Sequence, residues 1–230
     1  MVAVSLVAGC GHDQADRLYL AALDGEDTGM TREQQMANLD MAIQLRPNRA
    51  YYYETRAGYW ISLREFDRAL ADLDRDIALT PRPYAYFMRG MALCENDQIA
   101  RSLADFDTAI AKQPQNTQFY RGRALARAAT GDTAGAMADA EELVHGEPQR
   151  GETWYVRGVV LALTGHDREA VADFDRAAGI RPELVYVVEA RLQSLERLGE
   201  TARVRADRDT LPAMREEHGG CAPCLDPFRY

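Results

Sequence analysis

The sequence predicts an all-α fold, an α-solenoid of about six helical hairpins in which the first and the last hairpin are atypical. Three repeated features predict it, and the first is a period of prolines. The prolines recur every 33 or 34 residues, at Pro47, Pro81, Pro114, Pro148 and Pro182. A period of this length indicates a stack of small units, each of which contacts mainly its neighbours.

The second feature is an aromatic residue followed three residues later by arginine and then by Gly or Ala. Its copies are Tyr53-Arg56-Ala57, Tyr86-Arg89-Gly90, Tyr120-Arg123-Ala124 and Trp154-Arg157-Gly158, with Tyr186-Glu189-Ala190 as a degraded further copy. Because the aromatic and the small residue are four apart, they share one face of a helix. This pattern predicts the first helix of each hairpin.

The third feature is the sequence Ala, Asp, an apolar residue and an acid. Its copies are Ala71-Asp72-Leu73-Asp74, Ala104-Asp105-Phe106-Asp107, Ala138-Asp139-Ala140-Glu141 and Ala172-Asp173-Phe174-Asp175. Apolar residues spaced like Ala170, Phe174 and Ala177 indicate a second helix with one buried face, which the proline then ends. Gly131-Asp132 and Gly165-His166-Asp167 predict the turns before it, with the aspartates as caps. The recurring Arg and Asp suggest a ladder of ion pairs within or between hairpins.

These units resemble the tetratricopeptide repeat (TPR). The fifth unit matches that pattern at Trp154, Gly158, Leu161, Gly165, Ala170, Phe174, Ala177 and Pro182, and the third at Tyr86, Gly90, Leu93, Phe106, Ala109 and Pro114. The resemblance covers roughly residues 14–210 and implies a right-handed solenoid. The predicted solenoid spans residues 11–217, in units of about 14–47, 48–81, 82–114, 115–148, 149–182 and 183–211.

The terminal units depart from the pattern. The first has an insertion, Gly25-Glu26-Asp27-Thr28-Gly29, and carries Gln35 where alanine is usual, and the sixth lacks the closing proline. We interpret both as caps, because one face of a terminal repeat meets solvent.

Composition and motifs exclude several functional classes. The net charge of −9 argues against nucleic acid as a partner, because phosphate neutralisation supplies most of that affinity. No apolar run approaches the ~20 residues that span a bilayer. The sequence contains no P-loop, Rossmann glycine pattern, HExxH or GxSxG motif, so it predicts no enzyme, no cofactor and no metal site.

The cysteines divide into three settings. Cys94 falls within a predicted helix and is expected to be a small buried residue. Residues 218–230 are predicted to be a flexible tail in which Cys221 and Cys224 form a disulfide. The alternatives for that CxxC pair are redox chemistry, zinc binding together with His218, or free thiols.

Residues 1–10 form a lipoprotein-signal-like segment. Leu6-Val7-Ala8-Gly9-Cys10 resembles the lipobox of bacterial lipoproteins, although no Lys or Arg precedes Cys10. The resemblance implies lipidation, for instance by palmitate, at Cys10. The chain would then lie at the bacterial cell envelope, facing the periplasm and held to the membrane only by that lipid. The alternative is a cytoplasmic protein.

In the TPR family, residues of the first helices line a concave groove. Mapped onto this chain, the candidates for peptide binding are Tyr51, Glu54, Tyr84, Phe87, Met91, Arg121, Leu125, Tyr155 and Val159. Such an aromatic and apolar lining suits an extended or helical protein segment. The predicted function is therefore a non-enzymatic scaffold whose protein partner and oligomeric state the sequence leaves open. The alternatives are a thiol/disulfide or metal-binding protein that acts through the CxxC tail with the repeats as docking module, and a cytoplasmic TPR adaptor.

Overall fold

A computed structural model of the protein describes residues 13–25 and 29–218. These residues form helices joined by short turns, without any strand, and they divide into two compact units between Pro81 and Arg82. The first unit contains α1 (Gln14–Leu23), α2 (Arg32–Leu45), α3 (Ala50–Ser62) and α4 (Phe66–Leu79). The second contains α5 (Pro83–Glu95), α6 (Ile99–Lys112), α7 (Thr117–Ala129), α8 (Thr133–Gly146), α9 (Gly151–Leu163), α10 (Asp167–Ile180), α11 (Val185–Leu198) and α12 (Thr201–His218).

The helices of each unit pack as a series of hairpins. Each odd-numbered helix packs on the even-numbered helix that follows it, and that helix packs on the next odd-numbered helix of the same unit. In the second unit α5, α7, α9 and α11 also contact one another in that order. The prediction of an all-α solenoid of helical hairpins is therefore confirmed within each unit.

In the five hairpins from α3–α4 to α11–α12, the turn between the two helices contains one residue with left-handed backbone geometry. These residues have φ angles between 55° and 84°, and they are Arg64, Asp97, Gly131, Gly165 and Gly199. The two glycines predicted as turn markers, Gly131 and Gly165, are confirmed in this role. A side chain in this region costs about 1–2 kcal/mol, so glycine is the favoured residue there.

The two aspartates predicted as helix caps behave differently. The Asp132 carboxylate accepts a hydrogen bond from the backbone N–H of Gly135 at 3.0 Å and caps α8, as predicted. Asp167 instead begins α10, and its carboxylate accepts hydrogen bonds from the guanidinium of Arg197 at 2.5–2.9 Å. The capping prediction for Asp167 was wrong, because a partner 30 residues away competes with the local backbone.

The small residue of the first repeated pattern lies where two helices of a hairpin cross. A Cβ atom added to Gly158 on α9 would lie 2.6 Å from Cε1 of Phe174 on α10. The corresponding distance from Gly90 on α5 to Phe106 on α6 is 2.8 Å. The aromatic ring therefore fills the space that the missing side chain leaves, which explains why a small residue and an aromatic recur together.

The predicted ladder of ion pairs is confirmed. Within a hairpin, the arginine Nε and Nη2 atoms donate to both oxygens of an aspartate 16 residues later, at 2.6–2.9 Å. The pairs are Arg56–Asp72, Arg89–Asp105, Arg123–Asp139 and Arg157–Asp173. Each aspartate is buried and each arginine is partly buried, so these bidentate contacts are shielded from water.

The third guanidinium nitrogen extends the ladder to the preceding hairpin. Arg56 Nη1 donates to Asp40 on α2, and Arg123 Nη1 donates to Asp107 on α6, both at 2.6 Å. The carboxylate of Asp72 raises the pKa of the Arg56 guanidinium against the opposing effect of burial, and Asp40 adds to the increase. Each such arginine thus joins three helices through one planar group.

The repeated aromatic residue completes the same arrangement. The guanidinium of Arg157 lies 4.8 Å from the ring centroid of Trp154, and Trp154 Nε1 donates to the carbonyl oxygen of Pro148 at 2.9 Å. Tyr53 likewise donates through its hydroxyl to the carbonyl oxygen of Pro47 at 3.0 Å. Proline, aromatic residue, arginine and aspartate therefore recur at a fixed period because they contact one another in space.

The last hairpin contains a fifth ladder pair that the sequence interpretation misplaced. Arg191 on α11 donates to Asp207 on α12 at 2.6 and 2.9 Å, again across 16 residues. The copy of the aromatic–Arg–small pattern is therefore Val188-Arg191-Leu192, and the prediction of Tyr186-Glu189-Ala190 was wrong by two residues. Matching on an aromatic and a small residue failed because Val188 and Leu192 pack with Leu211 of α12 instead of forming a glycine–aromatic crossing.

Candidate peptide-binding groove

The odd-numbered helices of the second unit carry most of the predicted groove residues. Those on α5 are Tyr84, Phe87 and Met91, those on α7 are Arg121 and Leu125, and those on α9 are Tyr155 and Val159. Since α5, α7 and α9 contact one another, these side chains belong to one layer of helices. Their burial decides which of them can meet a ligand.

Three of these seven side chains are accessible. Tyr84 exposes 46 % of its surface, and Met91 and Arg121 are partly exposed. The Tyr84 ring lies beside Phe87, with 5.9 Å between the ring centroids. Tyr84 thus exposes part of its aromatic ring to solvent and packs against the buried Phe87.

The other four are buried, and the structure does not support them as contact residues. They are Phe87, Leu125, Tyr155 and Val159, none more than 6 % exposed. The Phe87 ring packs 5.2 Å from that of Phe119, and the Tyr155 ring packs 6.1 Å from that of Phe174. These side chains fill the space between helices, so replacing them would test the core and not the groove.

The two predicted groove residues of the first unit lie on α3. The Tyr51 hydroxyl donates to the carboxylate of Asp16 at 2.9 Å, and the hydroxyl of the buried Tyr52 donates to the same carboxylate at 2.5 Å. The hydrogen bond from Tyr52 is the main cause of a lowered pKa at the Asp16 carboxyl, and the bond from Tyr51 adds to it. Tyr51 is therefore engaged in joining α1 to α3, and Glu54 lies partly buried on the same helix.

A shallow pocket opens beside Arg121 in the second unit. It is lined by the start of α7, the end of α8 and the start of α9, through Thr117, Gln118, Arg121, Leu143, Glu147, Arg150, Glu152, Thr153 and Val156. Sequence reasoning missed Glu147 and Arg150, because they flank the loop around Pro148 and lie outside the helix positions that the family resemblance maps. The pocket combines an apolar floor with several charged groups at its rim.

The acidic groups of this pocket are already engaged by arginines. The Glu147 carboxylate accepts hydrogen bonds from Arg150 at 2.9 Å and from the hydroxyl of Thr117. The hydrogen bond from Thr117 is the largest cause of the lowered pKa of the Glu147 carboxyl. The Glu152 carboxylate accepts from Arg181 Nη1 at 3.2 Å and lies 3.9 Å from Arg150 Nε. Both carboxylates are thus held by neighbours other than Arg121.

Tyr186 on α11 lies close to this pocket. Its ring meets that of Tyr155 edge to face, with 4.8 Å between centroids. Burial raises the pKa of Tyr186 to about 12, the charge of Glu152 adds to the increase, and the charges of Arg121 and Arg181 oppose it. A partly buried aromatic ring and a guanidinium therefore lie near each other at this end of the helical layer.

The cysteines and the side chains that could bind a metal ion are placed as follows. Cys94 is buried and its thiol donates to Ser102 Oγ at 3.0 Å, and burial raises its pKa to about 11, so its burial prediction is confirmed. Within residues 13–25 and 29–217, no group of three or more His, Cys, Asp or Glu side chains is arranged to hold a metal ion. Cys10, Cys221 and Cys224 lie outside the described residues, and their predicted lipidation and disulfide remain predictions.

Comparison with known proteins identifies the architecture. No protein-family model matches the chain. A stretch of 86 residues is 30 % identical to human tetratricopeptide repeat protein 28, and it spans 37 % of this chain but only 4 % of that protein. The solved structure of PilW, a widely conserved type IV pilus biogenesis factor, superposes with a TM-score of 0.77 at 17 % identity, over 94 % of this chain and 99 % of PilW.

The chain has the tetratricopeptide-repeat fold. A TPR protein from Parabacteroides merdae superposes with a TM-score of 0.74 at 14 % identity, over 92 % of this chain and 82 % of that one. YrrB, a TPR protein with an unusual peptide-binding site, gives a TM-score of 0.61 at 17 % identity, over 77 % of this chain and 91 % of YrrB. The TPR helices described in residues 13–218 include none that is both long and apolar enough to cross a membrane.

Proposed function

We propose that this TPR chain is a non-enzymatic interaction scaffold that binds a segment of a partner protein along the odd-numbered helices of its second unit. The observation that carries the proposal is the accessible side of that helical layer, where Tyr84 is exposed and Met91 and Arg121 are partly exposed beside a tightly packed core. An aromatic anchor beside a flexible apolar side chain and a guanidinium is a composition typical of protein interfaces. The peptide-binding site of YrrB, a protein of the same fold, supports the assignment.

The acidic residues support a scaffold over a hydrolase. A general base needs a carboxylate that is free to accept a proton from substrate. The buried carboxylates of the ladder, such as Asp105, Asp139 and Asp173, each accept two hydrogen bonds from one arginine. These groups stabilise the helical stack, and their burial and their pairing with arginine oppose a role as general base.

Tyr84 and Met91 provide the test of the groove. Peptides that bind the full chain are selected from a phage-displayed library of random 12-residue sequences, and their affinities are measured by fluorescence anisotropy. In the variant Tyr84→Ala/Met91→Gln we expect affinity to fall about tenfold or more, because interface aromatics commonly contribute 1.4 kcal/mol or more. Thermal unfolding should change little, since Tyr84 is exposed and the partly buried Met91 is replaced by a side chain of similar size.

Met41→Ala is the matched control for this test. Met41 is an exposed apolar side chain on α2, an even-numbered helix of the first unit, with 47 % of its surface accessible. Its truncation should leave peptide affinity unchanged. Equal affinities for wild type and the Tyr84→Ala/Met91→Gln variant would place the interface elsewhere and contradict the proposal.

We further propose that the chain is anchored at the bacterial cell envelope, facing the periplasm, by a lipid on Cys10. The support is the lipobox-like Leu6-Val7-Ala8-Gly9-Cys10, which lies outside the described residues. In protein isolated from bacterial membranes, we expect mass spectrometry to find residues 1–9 removed and Cys10 carrying acyl chains. The Cys10→Ser variant should lose this modification. An intact and unmodified segment 1–10 would favour the cytoplasmic alternative.

A further inference from the structure

Arg121 is unusual among the partly buried arginines of the second unit. Six others form ion pairs with acidic side chains, namely Arg89, Arg123, Arg127, Arg157, Arg191 and Arg203. Arg121 forms neither an ion pair nor a hydrogen bond through its side chain with any residue that the structure describes. A guanidinium that is partly withdrawn from water without a partner carries a desolvation cost, and a bound carboxylate would offset that cost.

The surroundings of Arg121 leave it available for a ligand. Glu147 and Glu152 line the same pocket, but Arg150 and Arg181 hold their carboxylates, as described above. The pocket therefore presents a positive group that its own acidic residues do not neutralise.

Next to this charge lies a partly exposed aromatic ring. Tyr186 stands against the buried Tyr155, whereas Leu143 and Val156, which also line the pocket, are themselves buried. A ligand that places a carboxylate on Arg121 can therefore also bury an adjacent apolar side chain. The matching ligand is a peptide in which an acidic residue neighbours an aromatic or aliphatic one.

We propose that the pocket at Arg121 recognises an Asp or Glu side chain of the partner segment, with the neighbouring apolar residue against Tyr186. This inference rests on the proposed function, and it names the chemistry of the partner. The planar guanidinium donates two parallel hydrogen bonds to the two oxygens of a carboxylate. Because an amide has only one oxygen, this bidentate pairing selects an acid over its amide. The occupant is a separate protein, and the competing occupant within this chain is the segment 219–230, which contains Asp226.

The test is a double-mutant cycle on peptides from the 12-residue library. Each binding peptide is synthesised with its acidic residue intact and as the matched amide, Asp→Asn or Glu→Gln. Against the wild-type chain we expect the acidic form to bind about tenfold more tightly, the value of one charge-assisted pair. In Arg121→Gln this preference should vanish, while the affinity of the amide form stays unchanged.

Two further variants sharpen the result. Arg168→Gln removes the same charge from an exposed position on α10 and should leave the preference intact. Glu152→Gln should strengthen the preference, because it removes a negative charge that repels the incoming carboxylate.

Each contrary result has a distinct meaning. If Arg121→Gln keeps the preference for the acid, or no preference exists, while Tyr84→Ala/Met91→Gln still weakens binding, the groove stands and the acidic-partner inference fails. If neither variant affects binding, the proposed function fails as well. If Asp226→Asn raises peptide affinity in wild type but not in Arg121→Gln, the pocket belongs to the chain's own segment 219–230, and the partner assignment is overturned.

Discussion

Gly158→Leu is expected to lower the free energy of unfolding by about 3 kcal/mol, the upper end of the usual cost of overpacking a core. A Cβ atom alone would lie 2.6 Å from Phe174, and that ring is fully buried between α9 and α10. The ring cannot move without opening the hairpin. The gain in helix propensity on replacing glycine, about 0.8 kcal/mol, is too small to offset this clash.

Gly179→Ala supplies the matched control. Gly179 also lies in a helix, α10, but a Cβ added there meets no atom within 4 Å. Replacing this glycine should therefore raise helix propensity without a clash and stabilise the protein by about 0.5–1 kcal/mol. Urea unfolding followed by circular dichroism measures both variants. A Gly158→Leu protein as stable as wild type would contradict the packing of α9 on α10.

Asp139→Asn is expected to lower the free energy of unfolding by about 2–4 kcal/mol, because it removes the buried carboxylate shared by Arg123 and Arg127 and leaves these two guanidinium groups only the exposed carboxylates of Asp107 and Asp132. The Asp139 carboxylate accepts two hydrogen bonds from Arg123 and one from Arg127, all at 2.7–2.9 Å. Its side chain is only 5 % exposed. The amide of asparagine keeps the shape but turns a donor toward two guanidinium groups.

Asp107→Asn tests whether burial, and not the distance between the charges, sets the strength of an ion pair. Asp107 pairs with Arg123 at 2.6 Å, but its side chain is 55 % exposed. We expect this variant to lose only about 0–1 kcal/mol, as for ion pairs that water and salt screen. The same urea titrations, at low and at high salt, compare the two variants. Equal losses would show that burial does not set the strength of the ladder.

The ladder could be predicted from the sequence because its residues recur in register. An arginine and an aspartate 16 residues apart, repeated with the hairpin, had to occupy equivalent places in every unit. The same logic failed in the last hairpin, where Tyr186 and Ala190 imitate the pattern two residues before the true copy. The contact between Arg191 and Asp207 shows the register there, and it agrees with the 34-residue spacing from Arg157 to Arg191.

The candidate groove could be predicted only in outline. The family resemblance selected residues of α5, α7 and α9, and three of them, Phe87, Leu125 and Tyr155, are buried against neighbouring helices. Periodicity assigns a residue to a helical face. It does not tell how closely the next helix approaches that face, because the approach depends on side chains distant in sequence.

The single unpaired arginine at the pocket is a result of tertiary structure. Arg121 has the same side chain as many paired arginines, and nothing in its local sequence distinguishes it. Arg121 lies near Glu152 without pairing with it, because Arg181, which follows α10, already donates to the Glu152 carboxylate.

The sequence by itself determined the hairpins, their period and the residues that join them, because helix formation, turns and the Arg–Asp spacing depend on local order that repeats. The tertiary structure alone decided which side chains stay open to a partner, which aspartate caps a helix and which arginines lack a counter-ion. These properties depend on the competition between groups far apart in the chain, and the distances between such groups exist only in the folded protein.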